Sequence, residues 1–162
     1  MGVRTSDHQR VAGKQYFDSD VQVGTVQGIK KEIITATTGQ SLTVEQSGAT
    51  VILSNNVLLV DLPTPELGLY YKFILTADMG AQGATVRSTS DGSTAANILS
   101  GIVDVNGAPT STVNLDVITF VANTATEGDY CEVTCVGTGT TSGDPSWHYY
   151  CNGDASGAIT VT

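Results

Sequence analysis

The residues with the most reactive side chains lie in one stretch near the end of the chain. All three cysteines, the single tryptophan and one of the two histidines fall within CEVTCVGTGTTSGDPSWHYYCNG, residues 131–153. Thiolate and imidazole groups bind zinc, and paired cysteines form disulfides or redox centres. The same residue types also occur in buried strands, where free cysteine packs as a small hydrophobe. The spacing of these residues favours one of the three interpretations.

The spacing argues against a metal site. Cys131 and Cys135 are separated by Glu-Val-Thr, a strand-like run without glycine or proline. Residues four apart in a strand share a face but lie about 13 Å apart, too far to bind one ion or to bond to each other. His148 and Cys151 are three apart, so a strand places them on opposite faces. We therefore expect no metal and no cofactor here.

The stretch instead predicts two strands that flank the loop GTGTTSGDPS. In one register of such a hairpin, Cys135 lies opposite Trp147 and Cys131 lies opposite Cys151. Alternation then collects small, soft and aromatic side chains on one face, namely Cys131, Val133, Cys135, Trp147, Tyr149 and Cys151. The other, wetter face carries Tyr130, Glu132, Thr134, His148 and Tyr150.

Two questions about chemistry follow from this register. Buried thiols are the expected state, and a disulfide between Cys131 and Cys151 is the alternative if the chain is oxidised; the odd cysteine count leaves one thiol over in either case. Asp129, Glu132 and Asp144 could pair as acid and base, but two lie in turns and nothing fixes their separation. With no nucleophile, base and orienting group in view, we expect no enzymatic activity.

The rest of the chain predicts an all-β protein. Short runs such as KEIITAT, SLTVEQ, TVILS and VLLVDL alternate with turn signals, and LYYKFILTA places Tyr71, Phe73 and Leu75 on one face as core. Asn106-Gly107 is a hairpin signal. We expect a single β-sandwich or barrel-like, jelly-roll-like domain over residues 32–162. An extended N-terminal arm, residues 1–31, precedes it and has a possible strand in VQVGTV (21–26).

Charge is distributed unevenly between these two parts. The chain carries a net charge of −9, but residues 1–31 hold five basic and three acidic residues. An acidic domain does not bind the phosphate backbone of nucleic acid, and no apolar run is long enough to cross a membrane. The basic bias of the arm suggests that it docks on an acidic partner.

The layout of residues 35–162 resembles small β-rich virion proteins of tailed bacteriophages, the head decoration or cement class. The resemblance rests on four stretches and a short terminal strand. These are SLTVEQSGATVIL, VLLVDLPTPELGLYYKFILT, LDVITFVANTATEGDYCEVTC, SWHYYCNG and AITVT. The three cysteines and the long, basic leader depart from the pattern.

The resemblance implies a structural role on the outer surface of a phage head, after synthesis in the host cytoplasm. Decoration proteins of this kind bind the major capsid protein, often as homotrimers, and clamp neighbouring subunits. The arm is then the expected contact, with candidates Arg4, Arg10, Lys14, Tyr16 and Phe17. The alternative is a carbohydrate-binding β-sandwich of a fibre tip or cell-surface lectin, which would stack sugars on exposed Trp147, Tyr149 and Tyr150.

Overall fold

Alternating apolar and polar residues organise the chain into short β-strands. The computed structural model describes residues 31–54, 59–88, 98–137 and 146–162, which belong to one compact unit, Lys31–Thr162. The possible strand VQVGTV (21–26) lies outside the described residues. The strands are β1 Ile33–Thr35, β2 Gln40–Ser41, β3 Thr50–Leu53, β4 Val60–Asp61, β5 Tyr70–Leu75, β6 Ala84–Arg87, β7 Leu99–Val105, β8 Ala108–Leu115, β9 Val117–Phe120, β10 Tyr130–Cys135, β11 Trp147–Gly153 and β12 Ile159–Val161.

The strands form two sheets packed together, so the expected all-β sandwich is confirmed. The larger sheet has seven strands in the order β1-β3-β5-β10-β11-β7-β8. The smaller sheet has five, in the order β12-β9-β6-β4-β2. Two stacked sheets each turn one face inward, and the core fills the space between them.

The first six strands are wound as a coil between the two sheets. β1, β3 and β5 are parallel neighbours in the larger sheet, while β2, β4 and β6 are parallel neighbours in the smaller one. Parallel neighbours need a long crossover connection, and here each crossover runs through the opposite sheet. This half therefore differs from the antiparallel winding of a jelly roll.

The second half is built mainly from antiparallel neighbours. The hairpin signal is confirmed: Asn106 and Gly107 have φ values of 54° and 70° and join β7 to β8. Two consecutive positive φ angles define the turn that suits the twist of a two-residue hairpin. β10 lies between β5 and β11, and therefore joins the coiled first half to the rest of the larger sheet.

The core follows the period-two pattern of the strands. Tyr71, Phe73 and Leu75 are buried as expected, and so are Ile118 and Phe120 of β9. β9 lies between β12 and β6, so it is an interior strand of the smaller sheet. After β4 the chain leaves the smaller sheet through Leu-Pro-Thr-Pro, because proline offers no N–H to a strand ladder.

Two local assignments differ from the sequence prediction. SLTVEQ was expected to be a strand, but Val44–Gln46 forms a 3₁₀ helix; the Gln46 side chain accepts a hydrogen bond from the Thr43 N–H at 2.9 Å and so closes the turn. The longest strand, β8, is not predicted by the sequence pattern. Most of its residues are exposed, so the apolar alternation that identifies a half-buried strand is missing.

Gly101 of β7 lies in register with Tyr149 of β11. A Cβ atom at this position would fall on the backbone of Tyr149, with its carbonyl oxygen as the nearest atom. Because backbone in a central strand cannot move aside cheaply, we expect Gly101→Ala to destabilise the fold by about 1–3 kcal/mol. Urea unfolding would measure the loss, with Ser111→Ala on the exposed face of β8 as control. Equal midpoints for the two variants would contradict the assigned packing.

Candidate functional site

The cysteine- and tryptophan-bearing strands pair in the predicted register. Within the antiparallel β10–β11 pair, Cys131 lies opposite Cys151 and Cys135 lies opposite Trp147. The six residues assigned to the inner face are all buried. The five assigned to the wetter face are exposed or half-buried. Both predictions are confirmed, and the three cysteines and the tryptophan therefore lie inside the sandwich, whereas His148 is exposed.

Aromatic side chains fill the centre of this buried face. The rings of Tyr71 and Trp147 have centroids 6.1 Å apart and are tilted by 49°, an arrangement typical of core aromatic pairs. The Tyr71 hydroxyl donates to the Thr43 carbonyl at 2.8 Å, and the Tyr149 hydroxyl hydrogen-bonds the Thr112 hydroxyl. The Tyr71 bond thus ties β5 to the segment before the 3₁₀ helix, and the Tyr149 bond ties β11 to β8 within the larger sheet.

Cys131 and Cys151 are joined by a disulfide, with Cα atoms 4.0 Å apart. The expectation of two free thiols is therefore wrong, although their burial and opposition are as predicted. Directly opposed residues of an antiparallel pair bring their Cβ atoms close together, so the register itself makes the bond available. The disulfide cross-links the two central strands of the larger sheet inside the core.

The third cysteine, Cys135, is a free and buried thiol. Its Sγ donates to the Gly137 carbonyl at 3.0 Å. Burial is the largest influence on it and raises the pKa of the Cys135 thiol. Since the thiolate is the nucleophilic form, a raised pKa keeps this sulfur protonated and unreactive. Cys135 therefore acts as a packing residue.

The carboxylates near this face have structural partners. Asp129 is buried, and its oxygens accept the backbone N–H groups of Thr126 and Asp154, each at 2.9 Å. Glu132 pairs with Lys72 at 3.0 Å. Asp144 lies outside the described residues. No group of three or more histidine, cysteine or acidic side chains that could hold a metal ion occurs in the described part of the chain.

Side chains on the opposite, outward surface of the larger sheet form a patch that contains three tyrosines. We call it the tyrosine face, and its members are Tyr70, Lys72, Ile102, Tyr130, Glu132 and Tyr150. One cross-strand row joins Lys72, Glu132, Tyr150 and Ile102 in register across β5, β10, β11 and β7. The Tyr130 and Tyr150 rings are 6.4 Å apart. The sequence indicates that these side chains point outward, but only the strand order brings them together.

Charged groups on the tyrosine face are engaged locally. The Lys72 ammonium pairs with Glu132 and also lies 4.3 Å from the centre of the Tyr130 ring. Lys31 lies 5.5 Å from the centre of the Tyr70 ring. Burial and the neighbouring Glu132 carboxylate raise the pKa of Tyr70. Two of the three ring systems therefore already interact with a cation on one face.

The sugar-stacking platform expected of a lectin is not formed as predicted. Trp147 and Tyr149 are completely buried, so neither ring can stack on a sugar. Tyr150 alone of the three is exposed, at 38%. The capsid-contact candidates Arg4, Arg10, Lys14, Tyr16 and Phe17 lie outside the described residues, and their role stays a prediction.

Comparison with known proteins gives no relative: no protein-family model, curated protein or solved structure matches the chain. Among the described residues, no helix has the length and apolarity needed to cross a membrane. Any inference about function therefore rests on the geometry of the described residues and on the sequence pattern.

The disulfide yields a direct chemical test. A denatured, oxidised chain should react with about one equivalent of thiol reagent, and the reduced chain with all three cysteines. The closed loop spans 20 residues, so reduction should lower the free energy of unfolding by about 3 kcal/mol. Urea unfolding with and without a phosphine reductant measures the difference.

The matched control is Cys135→Ala, which removes the free thiol and keeps the cross-link. It should show the same gap between the oxidised and reduced midpoints as the natural chain, and no reactive thiol when oxidised. Three reactive thiols in the natural chain under oxidising conditions would contradict the disulfide.

The buried phenols predict loss of stability in alkali. Burial raises the pKa of both Tyr71 and Tyr149 to about 12, whereas an unfolded tyrosine ionises near pH 10. Between these values the unfolded chain binds fewer protons than the folded one, so stability falls as pH rises above about 10. Absorbance titration of phenolate should reveal a late-ionising class that is reduced in Tyr149→Phe. Ionisation of every tyrosine near pH 10 in the folded chain would contradict the burial.

Proposed function

We propose that this chain is a structural virion protein, a capsid decoration protein that binds the outside of a phage head and clamps neighbouring capsid subunits. One observation supports the proposal most directly: the three cysteines and the indole are core side chains of a sandwich, so they are not available on the surface for chemistry. The sequence resemblance supplies the class of partner, the major capsid protein.

The charge distribution supports a contact through the arm. The arm has an excess of basic residues, while the chain as a whole is strongly acidic. A basic segment can dock on acidic patches of a shell, and several weak contacts gain strength when copies act together. In this proposal Arg4, Arg10 and Lys14 make the charged contacts, Tyr16 and Phe17 anchor the segment, and the chain acts as a homotrimer.

Deletion of residues 1–20 tests the arm. Co-sedimentation with expanded heads that lack this protein should be lost on deletion, and should weaken at least tenfold when Arg4, Arg10 and Lys14 are all replaced by glutamine. The matched control exchanges the same positions as Arg4→Lys, Arg10→Lys and Lys14→Arg, which keeps the charge and should keep binding at low salt. Undiminished binding of the deleted chain would remove the arm from the proposal.

The clamping role has its own measurement. Heads carrying the protein should release their DNA at a higher temperature than heads without it, because a ligand that binds only the intact shell stabilises it by mass action. Identical release temperatures at saturating protein would overturn the decoration role itself.

A further inference from the structure

The Cys131–Cys151 disulfide lies at the centre of the larger sheet. Three strands flank β10 on one side, and two flank β11 on the other. In register, the bonded pair falls between Phe73 of β5 and Val103 of β7. The smaller sheet covers the same face, where β12 packs against β11. Both bonded cysteines are 0% exposed, so neither sulfur atom is open to solvent.

Burial of this kind blocks thiol–disulfide exchange. A reductant must bring a thiolate up to one of the two sulfur atoms and pass through a mixed disulfide. A completely buried sulfur atom leaves no room for that approach, so the sheet must open before exchange can begin. Neither β10 nor β11 is an edge strand. Fraying at a sheet edge therefore does not expose the bond, and the required opening involves the interior of the sheet.

The free thiol does not provide an internal route to the bond. Cys135 and Cys131 lie on the same face of β10, four residues apart, and therefore about 13 Å apart. The Cys135 thiol is itself buried and donates to the Gly137 carbonyl, and burial raises its pKa. A protonated thiol at that distance does not attack the disulfide. The chain has only three cysteines, so no other internal thiol exists.

Oxidation also changes how often the sheet opens. The cross-link joins residues 20 positions apart and restricts the opened chain, which disfavours the open state about 100-fold relative to that of the reduced chain. When the sheet closes faster than the chemistry proceeds, each exchange reaction follows the population of the open state. The reduced chain is therefore the form that reacts more readily, and the oxidised chain is the form that is protected.

We propose that the Cys131–Cys151 pair is a redox lock, a cross-link that forms readily and is removed rarely. When the reduced sheet opens, one protein thiolate attacks a small-molecule disulfide, releases a small thiolate and forms a mixed disulfide. The second protein thiolate then displaces the other small thiolate. Two protein thiols and one small disulfide thus give one protein disulfide and two small thiols. After the oxidised sheet closes, the reverse reaction with small thiols waits for a rarer opening.

The lock gives the chain a direction of change between compartments. A chain that folds where thiols are kept reduced and later meets an oxidising environment accumulates in the cross-linked form. It then keeps that form on return to reducing conditions for as long as the sheet stays closed. The lock does not depend on the proposed role on a capsid.

The test measures exchange in both directions on the full chain. The oxidised chain is treated with reduced glutathione and the reduced chain with glutathione disulfide, each with and without urea, and alkylation counts the free thiols over time. Each rate in the folded chain is divided by the rate of the same reaction in the urea-unfolded chain. Folding should slow reduction at least about 1,000-fold. It should slow oxidation by a factor about 100-fold smaller.

Substitutions separate opening of the sheet from other routes. Gly101→Ala weakens the packing of β7 on β11 and should speed reduction of the folded chain at least about fivefold. Phe73→Leu, next to Cys131 in register, gives a second weakened variant with the same expected direction. Ser111→Ala on β8 is the matched control and should leave the rate unchanged. Cys135→Ala should also leave it unchanged, because the free thiol takes no part.

Three results would overturn the lock. The first is reduction of the folded chain as fast as that of the unfolded chain. The second is a reduction rate that both weakened variants leave unchanged, or that falls in Cys135→Ala, because exchange would then bypass opening. The third is equal slowing of oxidation and reduction by folding, which would remove the preference for the cross-linked form. These results are independent of whether the chain binds a capsid.

Discussion

The pairing of β10 with β5 on one side and β11 on the other determines most of what this protein can do. Period-two alternation along these strands directs one set of side chains inward and the other outward, and the two registers align those sets across the sheet. The inward side chains include the disulfide, the buried Cys135 thiol and the aromatic residues of the core. The outward set becomes a neutral surface with an ion pair at its centre. One backbone arrangement thus buries the cysteines and the tryptophan and leaves the tyrosine face on the outer surface.

Much of this arrangement follows from local sequence pattern. The alternation in LYYKFILTA and around Cys131 predicts the buried faces, and the positions of the cysteines and Trp147 predict the β10–β11 register. The disulfide lies where that register places two sulfur atoms together, but alternation carries no information on oxidation. The outward direction of Tyr70, Tyr130 and Tyr150 is equally local.

The order of the strands in each sheet depends on contacts between distant parts of the chain. The alternation of apolar and polar residues within a strand does not predict it. β5 pairs with β10 across a long intervening segment, and the parallel coil of β1 to β6 depends on strands that alternate between sheets. The sequence of a single strand does not predict which distant strand will pair with it. The tyrosine face could therefore be predicted residue by residue but not as a surface. β8 was missed for a different reason, since a strand exposed on both sides has no apolar face to reveal it.

The coiled first half has a consequence for the order of events during synthesis. Lys72 and Glu132 are separated by 60 positions, so at about 5–20 residues per second the ribosome needs about 3–12 s to deliver the neighbour of β5. Until then one side of β5 is an open edge, and nascent chains translated side by side can pair there. An open strand edge of this kind can pair with other chains, so the newly made first half is prone to aggregation until β10 arrives.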